Sequence, residues 1–116
     1  MILSLEYPPG FLEMSPELKA EVCNGAGAKD GIKVPNTMWG LNCIDAFDIH
    51  DYEYYMGETD ADKRDADRHM LSNSIIIINN KGGLMSYLRW LRALNYYAAV
   101  AKFGKKAFYE GKESHG

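Results

Sequence analysis

The sequence predicts an all-α domain with three main helices, the first two packed antiparallel, preceded by a long glycine-containing loop of the metal-binding type. Three observations lead there. After residue 42, apolar residues recur at three- and four-residue intervals through three long stretches. Breaking or capping residues bound those stretches: Asn42, Gly57 with Thr59, Gly82 with Gly83, and Gly104. Before them, residues 24–40 hold Gly25, Gly27, Gly31, Pro35 and Gly40 with no apolar periodicity, the composition of an irregular loop with approachable backbone.

The elements follow in order. Ser15-Pro16-Glu17 sets a capping hydroxyl before a proline suited to a first helical turn, which predicts a short helix from Pro16 to about Val22, ended by Asn24-Gly25. Asn42 then caps a helix to about Met56, on which Cys43, Phe47, His50 and Tyr54 share one face, so His50 points inward. Thr59 caps the next, with Asp60 and Asp62 at the positive end of its dipole; Lys63, Asp67, Met70, Ser74 and Ile77 line up along it toward Asn80. The run Ile75 to Ile78 is β-branched, but it has no hairpin partner and continues a helical period, so it reads as helix. The third main helix, about Leu84 to Phe103, has Leu84, Tyr87, Leu91, Leu94, Ala98 and Ala101 as its apolar face. Gly104 closes it, and residues 105–116 read as a polar, frayed tail.

A chain of 116 residues, 47% of them apolar, holds one domain with a modest core; no repeat or linker divides it, and the core spans about residues 15–104. The formal net charge of -3 gives no electrostatic reason to expect nucleic acid, whose phosphates require a basic surface. The first residues lack a basic start, and Glu6, Pro8 and Pro9 cut their apolar run short, so no signal peptide is expected. No apolar run approaches the roughly 20 residues of a membrane-spanning helix, so any membrane contact is expected to be peripheral. Cys23 and Cys43 are compatible with one disulfide or with two free thiols.

A carboxylate on a partly apolar helical face is costly unless paired, and Asp67 is such a residue. The short turn at Gly57 to Thr59 folds its helix back along the one carrying His50, giving a His-Asp couple in which Asp62 and Asp65 compete with Asp67 as the partner. An imidazole with one nitrogen held by a carboxylate presents the other as a general base. Asp51 lies about 100° further round the helix. It can face the glycine loop, where backbone carbonyls with one carboxylate suit a hard cation such as calcium.

His50-Asp51-Tyr52-Glu53-Tyr54 resembles the His-Asp-x-x-Tyr of the phospholipase A2 superfamily, and Cys23-Asn24-Gly25-Ala26-Gly27 looks like that family's calcium loop. Asp67-Arg68-His69-Met70 is similar to the second-helix aspartate segment of the disulfide-poor prokaryotic and fungal members, and Tyr96 to Gly104 resembles their closing helix. The resemblance spans about Cys23 to Gly104. It implies that His50 activates water, that Asp67 orients it and that Tyr54 donates a hydrogen bond to Asp67. It further implies that Asp51 ligates calcium with the carbonyls of Cys23, Gly25 and Gly27, the Gly25 amide helping to hold the oxyanion. The substrate so implied is a glycerophospholipid cut at its second acyl ester, and the partner a phospholipid or a membrane surface met peripherally. The chain departs from the animal enzymes where Ala46 and Phe47 replace paired cysteines and where the gap from Gly25 to His50 is longer.

A phospholipase-like binding module without turnover is the alternative reading, motivated by the altered loop and by Trp39, Tyr52, Tyr55, Trp90 and Tyr96 as a partner surface. A His-Asp phosphohydrolase would need more metal-binding imidazoles than His69 and His115 supply.

Overall fold

Ser15 begins the first helix as its spacing requires: its hydroxyl accepts the amide of Leu18 at 3.1 Å, and α1 runs Pro16–Val22. In the computed structural model, which describes residues 5–23, 37–38 and 40–109, the elements that follow are β1 (Thr37–Met38), β2 (Leu41–Asn42), α2 (Ile44–Met56), α3 (Asp60–Lys81), α4 (Ser86–Phe103) and α5 (Lys105–Tyr109). The protein is all-α, its two strands forming only a minimal antiparallel ribbon that pairs Thr37 with Asn42 and Met38 with Leu41. Most of the glycine loop, residues 24–36, lies outside the described residues, but its end is this ribbon rather than irregular chain.

The Asn42 carboxamide accepts the Ile44 amide at 2.9 Å, capping α2 from one residue outside the N-cap position held by Cys43. At the start of α3 a reciprocal capping box forms. Thr59 Oγ1 accepts the Asp62 amide at 3.1 Å, while Asp62 Oδ2 accepts the amides of Thr59 and Glu58 at 3.1 and 2.9 Å. Those backbone donors hold the Asp62 carboxyl below the ordinary carboxylate range. Asp62 is thereby committed to the cap, and Asp65 lies exposed beside Arg64, so neither competes for the histidine.

The two faces expected to turn inward do so. Cys43 at the N-cap of α2 and Phe47, His50 and Tyr54 within it are buried, as are Lys63, Asp67, Met70, Ser74 and Ile77 of α3. The main core joins α2, α3 and α4 through Cys43, Ala46, Phe47, Met70, Ile77, Ile78 and Ala93, with Phe47 and Tyr96 rings 5.1 Å apart. The isoleucine run is helical, with Ile77 and Ile78 buried in that core. Asn73 fastens the N-terminal segment to α3: its Oδ1 accepts the Glu6 amide at 2.6 Å and its Nδ2 donates to the Glu6 carbonyl at 2.8 Å. Both cysteines are free. Among the described residues no helix is long and apolar enough to cross a membrane.

Two expectations are corrected. The helix expected from Leu84 begins at Ser86, and the face of Leu84, Tyr87, Leu91, Leu94, Ala98 and Ala101 looks outward. α4 instead turns Arg89 and Ala93, with the half-buried Tyr96, Tyr97 and Val100, toward the rest of the protein. Small Ala93 enters the α2–α3 core, whereas apolar periodicity alone does not say which of two faces meets that core. The second correction concerns the chain after Gly104. Residues 105–109 form α5, and Phe108 is fully buried against Tyr54 and Ala66. Gly57 makes room for it, since a Cβ there would stand 2.8 Å from the Phe108 ring and 3.0 Å from the Glu53 carbonyl. Phe108→Ala is therefore expected to cost about 3–5 kcal/mol in urea denaturation, a core-sized loss where a frayed tail would give almost none.

Candidate active site

Antiparallel packing of α2 against α3 places the imidazole of one beside the carboxylate of the other. His50 Nε2 lies 2.8 Å from Asp67 Oδ1, and both side chains are buried. An ionised carboxylate only accepts, so Nε2 carries the proton of this bond and Nδ1 is the nitrogen with a free lone pair. Nδ1 makes no hydrogen bond with any described residue. Tyr54, one turn on from His50, donates its hydroxyl to the same Oδ1 at 2.7 Å, and the two rings lie 4.1 Å apart.

Lys63 completes the arrangement. One turn before Asp67 on α3, its ammonium donates to Asp67 Oδ2 at 2.8 Å and to the carbonyls of Val100 and Ala101 at 3.0 and 3.5 Å. Burial works against the charge of Asp67, yet the hydrogen bonds from His50, Lys63 and Tyr54 outweigh it and keep its carboxyl below the ordinary range. Tyr54 is driven the other way, first by burial and then by its bond to Asp67, so its phenol stays protonated as a donor. A cleft of about 330 Å³ opens on the Lys63 side of this cluster; Lys63, Asp67, Arg64 and Lys102 are among its lining, and His50 is not.

Sequence reasoning put Lys63 on the right face without giving it a role, although its i,i+4 spacing from Asp67 carries the signal of an ion pair. It also missed a second, reversed pair on the same two helices: His69 Nδ1 lies 2.7 Å from Glu53 Oε2. Burial raises the Glu53 carboxyl, while for His69 the bond to Glu53 outweighs burial and raises the imidazole above its ordinary value. The two shifts differ in what they say of the pair: His69 gains from it, and Glu53 is not fully compensated, its Oε1 being buried without a hydrogen-bond partner among the described residues. A histidine raised on folding stabilises fully below its unfolded value of about 6.5, and the contribution fades as pH rises through the folded value. The stability difference between the wild type and His69→Ala is accordingly expected to be largest under mildly acidic conditions and to shrink toward alkaline pH. Urea titrations across that range check it.

Of the expected metal ligands, Asp51 is half-buried on α2, and Cys23 follows α1 where the glycine loop begins. The Cys23 thiol is pushed up to about 12 by burial and then by the charges of Asp48 and Asp51, and it donates to the Asp48 carbonyl at 3.6 Å. Two carboxylates thus act on the start of the loop, while the thiol stays protonated and unsuited to binding metal as a thiolate. Gly25 and Gly27 lie outside the described residues. Among the described residues no three His, Cys, Asp or Glu side chains converge as a metal cluster, which a site built from one carboxylate and backbone carbonyls would not require. Of the aromatics considered as a partner surface, Tyr52 is buried and Tyr96 half-buried, Tyr55 and Trp90 are exposed, and Trp39 is outside the described residues.

No family model, no curated protein and no solved structure matches the chain.

Proposed function

We propose that the protein is a phospholipase A2-like hydrolase that cuts the second acyl ester of glycerophospholipids in a calcium-dependent reaction. The observation that carries the reading is the buried hydrogen bond of 2.8 Å between His50 Nε2 and Asp67 Oδ1. With Nε2 held by Asp67, Nδ1 is the nitrogen this reading assigns as the base, and the same Asp67 oxygen accepts from Tyr54.

In this reading His50 Nδ1 takes a proton from water as its oxygen bonds to the ester carbonyl carbon. The bond to the glycerol oxygen then breaks, and the imidazolium returns the proton to that leaving oxygen, giving a fatty acid and a lysophospholipid. Asp67 stabilises the charged imidazolium, and Tyr54 and Lys63 keep Asp67 ionised and aimed. Asp51 would hold the cation with the carbonyl of Cys23 and those of Gly25 and Gly27, as the resemblance of the His50-Asp51 and Cys23 to Gly27 segments implies. Calcium, when bound, supplies Lewis-acid polarisation of the ester carbonyl.

The test uses vesicles of a phosphatidylcholine with different chains at its two positions, incubated with the protein in calcium or in excess chelator, and reads the products by mass spectrometry. The reading expects free fatty acid from the second position only, and only with calcium. Absence of hydrolysis under both conditions would support the alternative of a binding module, and release from either position without calcium would remove the mechanism.

A further inference from the structure

The outward face of α4, with Leu84 in the turn that leads into it, has the spacing of a helix seam. Leu84, Tyr87, Leu91, Leu94, Ala98 and Ala101 follow one another at intervals of three, four, three, four and three, the seven-residue repeat with which one helix packs along another. Leu84 is 98% exposed, Tyr87 66%, Leu91 42% and Leu94 47%, and the two alanines are exposed as well. The apolar residues that meet the core leave α4 on its opposite side, so this seam has no partner among the described residues.

We infer that the occupant is a second copy of this chain, its α4 running antiparallel. In an antiparallel seam the layers pair Leu84 with the partner's Ala101, Tyr87 with the partner's Ala98, and Leu91 with the partner's Leu94. Large residues then meet small ones at both ends and the helix spacing stays even. A parallel pair would stack leucine and tyrosine on themselves at one end and leave alanines facing alanines at the other. Charge makes the same choice. No acidic residue occurs between Asp67 and Glu110, so α4 and α5 carry only cations, with Lys102, Lys105 and Lys106 at one end. Parallel pairing brings those ends together, whereas antiparallel pairing sets the two Lys102 positions roughly 28 Å apart, well beyond a Debye length. The seam from Leu84 to Ala101 bears no charge of its own, so nothing repels along it.

The exposed area is of the right size. Leu84, Tyr87, Leu88, Leu91 and Leu94 together leave open the equivalent of about three large side chains, on the order of 400–500 Å² of apolar surface. A homodimer interface of about 800 Å² per partner, roughly 65% apolar, needs about that much. The pairing is isologous, so it closes as a dimer and does not propagate. It is independent of the hydrolase reading, since it uses none of His50, Asp67 or Asp51.

Sedimentation velocity on the full chain in the micromolar range tests it, with far-UV circular dichroism as the check on folding. The wild type is expected at twice its 13.1 kDa mass. Leu91→Glu and, separately, Tyr87→Lys are expected to return it to the monomer with helix content unchanged, and Arg92→Glu, off the seam, to leave the dimer intact. For orientation, Leu84→Cys and Ala101→Cys chains in a Cys23→Ser background should cross-link to each other when mixed and not each to itself. A wild type that stays monomeric overturns the proposal, and one that stays monomeric while sedimenting with phosphatidylglycerol vesicles gives the face to lipid instead. Seam variants that remain dimeric, or like-with-like cross-links, equally contradict it.

Discussion

Replacing His50 by alanine is expected to lower second-acyl release by about 10²–10⁴-fold, the range over which a positioned general base contributes. In the proposed mechanism the imidazole acts on water and not on the bound lipid, so the loss should fall on kcat with little change in KM. Asp67 in this variant keeps Lys63 and Tyr54 as donors at 2.8 and 2.7 Å, so its charge remains partnered and the fold should persist. A thermal melt alongside the assay separates the two effects. A variant that melts like the wild type but retains full hydrolysis would show that the reaction does not pass through this ring.

Asp67→Ala is expected to cost about 3–5 kcal/mol of stability, as much as emptying a core site. The carboxylate is the common acceptor of three buried donors, and without it the Lys63 ammonium keeps only the carbonyls of Val100 and Ala101 at the end of α4. Against a total of about 5–15 kcal/mol for a domain, that is a large fraction, and urea denaturation reads it directly. The pH dependence has a definite sign. Because the folded carboxyl lies below its ordinary value, its contribution is present above the unfolded value of about 3.9 and is lost as pH falls through the folded one. The gap between wild type and Asp67→Ala should therefore be full near neutrality and close only in strong acid. Asp67→Asn keeps an acceptor of similar shape, so its stability should lie between the two while hydrolysis falls close to the level of His50→Ala. A gap of under about 1 kcal/mol for Asp67→Ala would mean that the network is solvated and that its hydrogen bonds matter little.

Helix positions were legible where local chemistry sets them. Ser15, Asn42 and Thr59 each accept a backbone amide near a helix start, and such caps depend on a few consecutive residues. The inward faces of α2 and α3 were legible for a related reason: their burial follows from a single antiparallel contact, set by the short turn at Gly57. The partner of His50 was narrowed from three aspartates to one by facts that spacing does not contain, the use of Asp62 in a capping box and the exposure of Asp65 beside Arg64. What failed was the side of α4 that turns inward. Its large apolar residues mark a regular stripe, but the core formed by α2 and α3 takes the opposite side with Ala93, Tyr96 and Val100, a choice that the period of the stripe does not carry. α5 was missed because its identity depends on one residue, Phe108, in a segment otherwise rich in lysine. The His69–Glu53 pair was invisible for a similar reason, since it joins two helices and neither residue departs from an ordinary polar surface pattern.

The most direct test of the central claim is the tautomer of His50, read from long-range nitrogen–proton correlations on protein labelled with ¹⁵N-histidine. The account predicts a neutral ring protonated at Nε2, with Nδ1 showing the shift of an unprotonated acceptor, and predicts that Asp67→Ala abolishes this preference. A ring protonated at Nδ1 would leave its lone pair on Nε2, turned to Asp67 and away from any water at Nδ1, and would contradict the proposed role of His50.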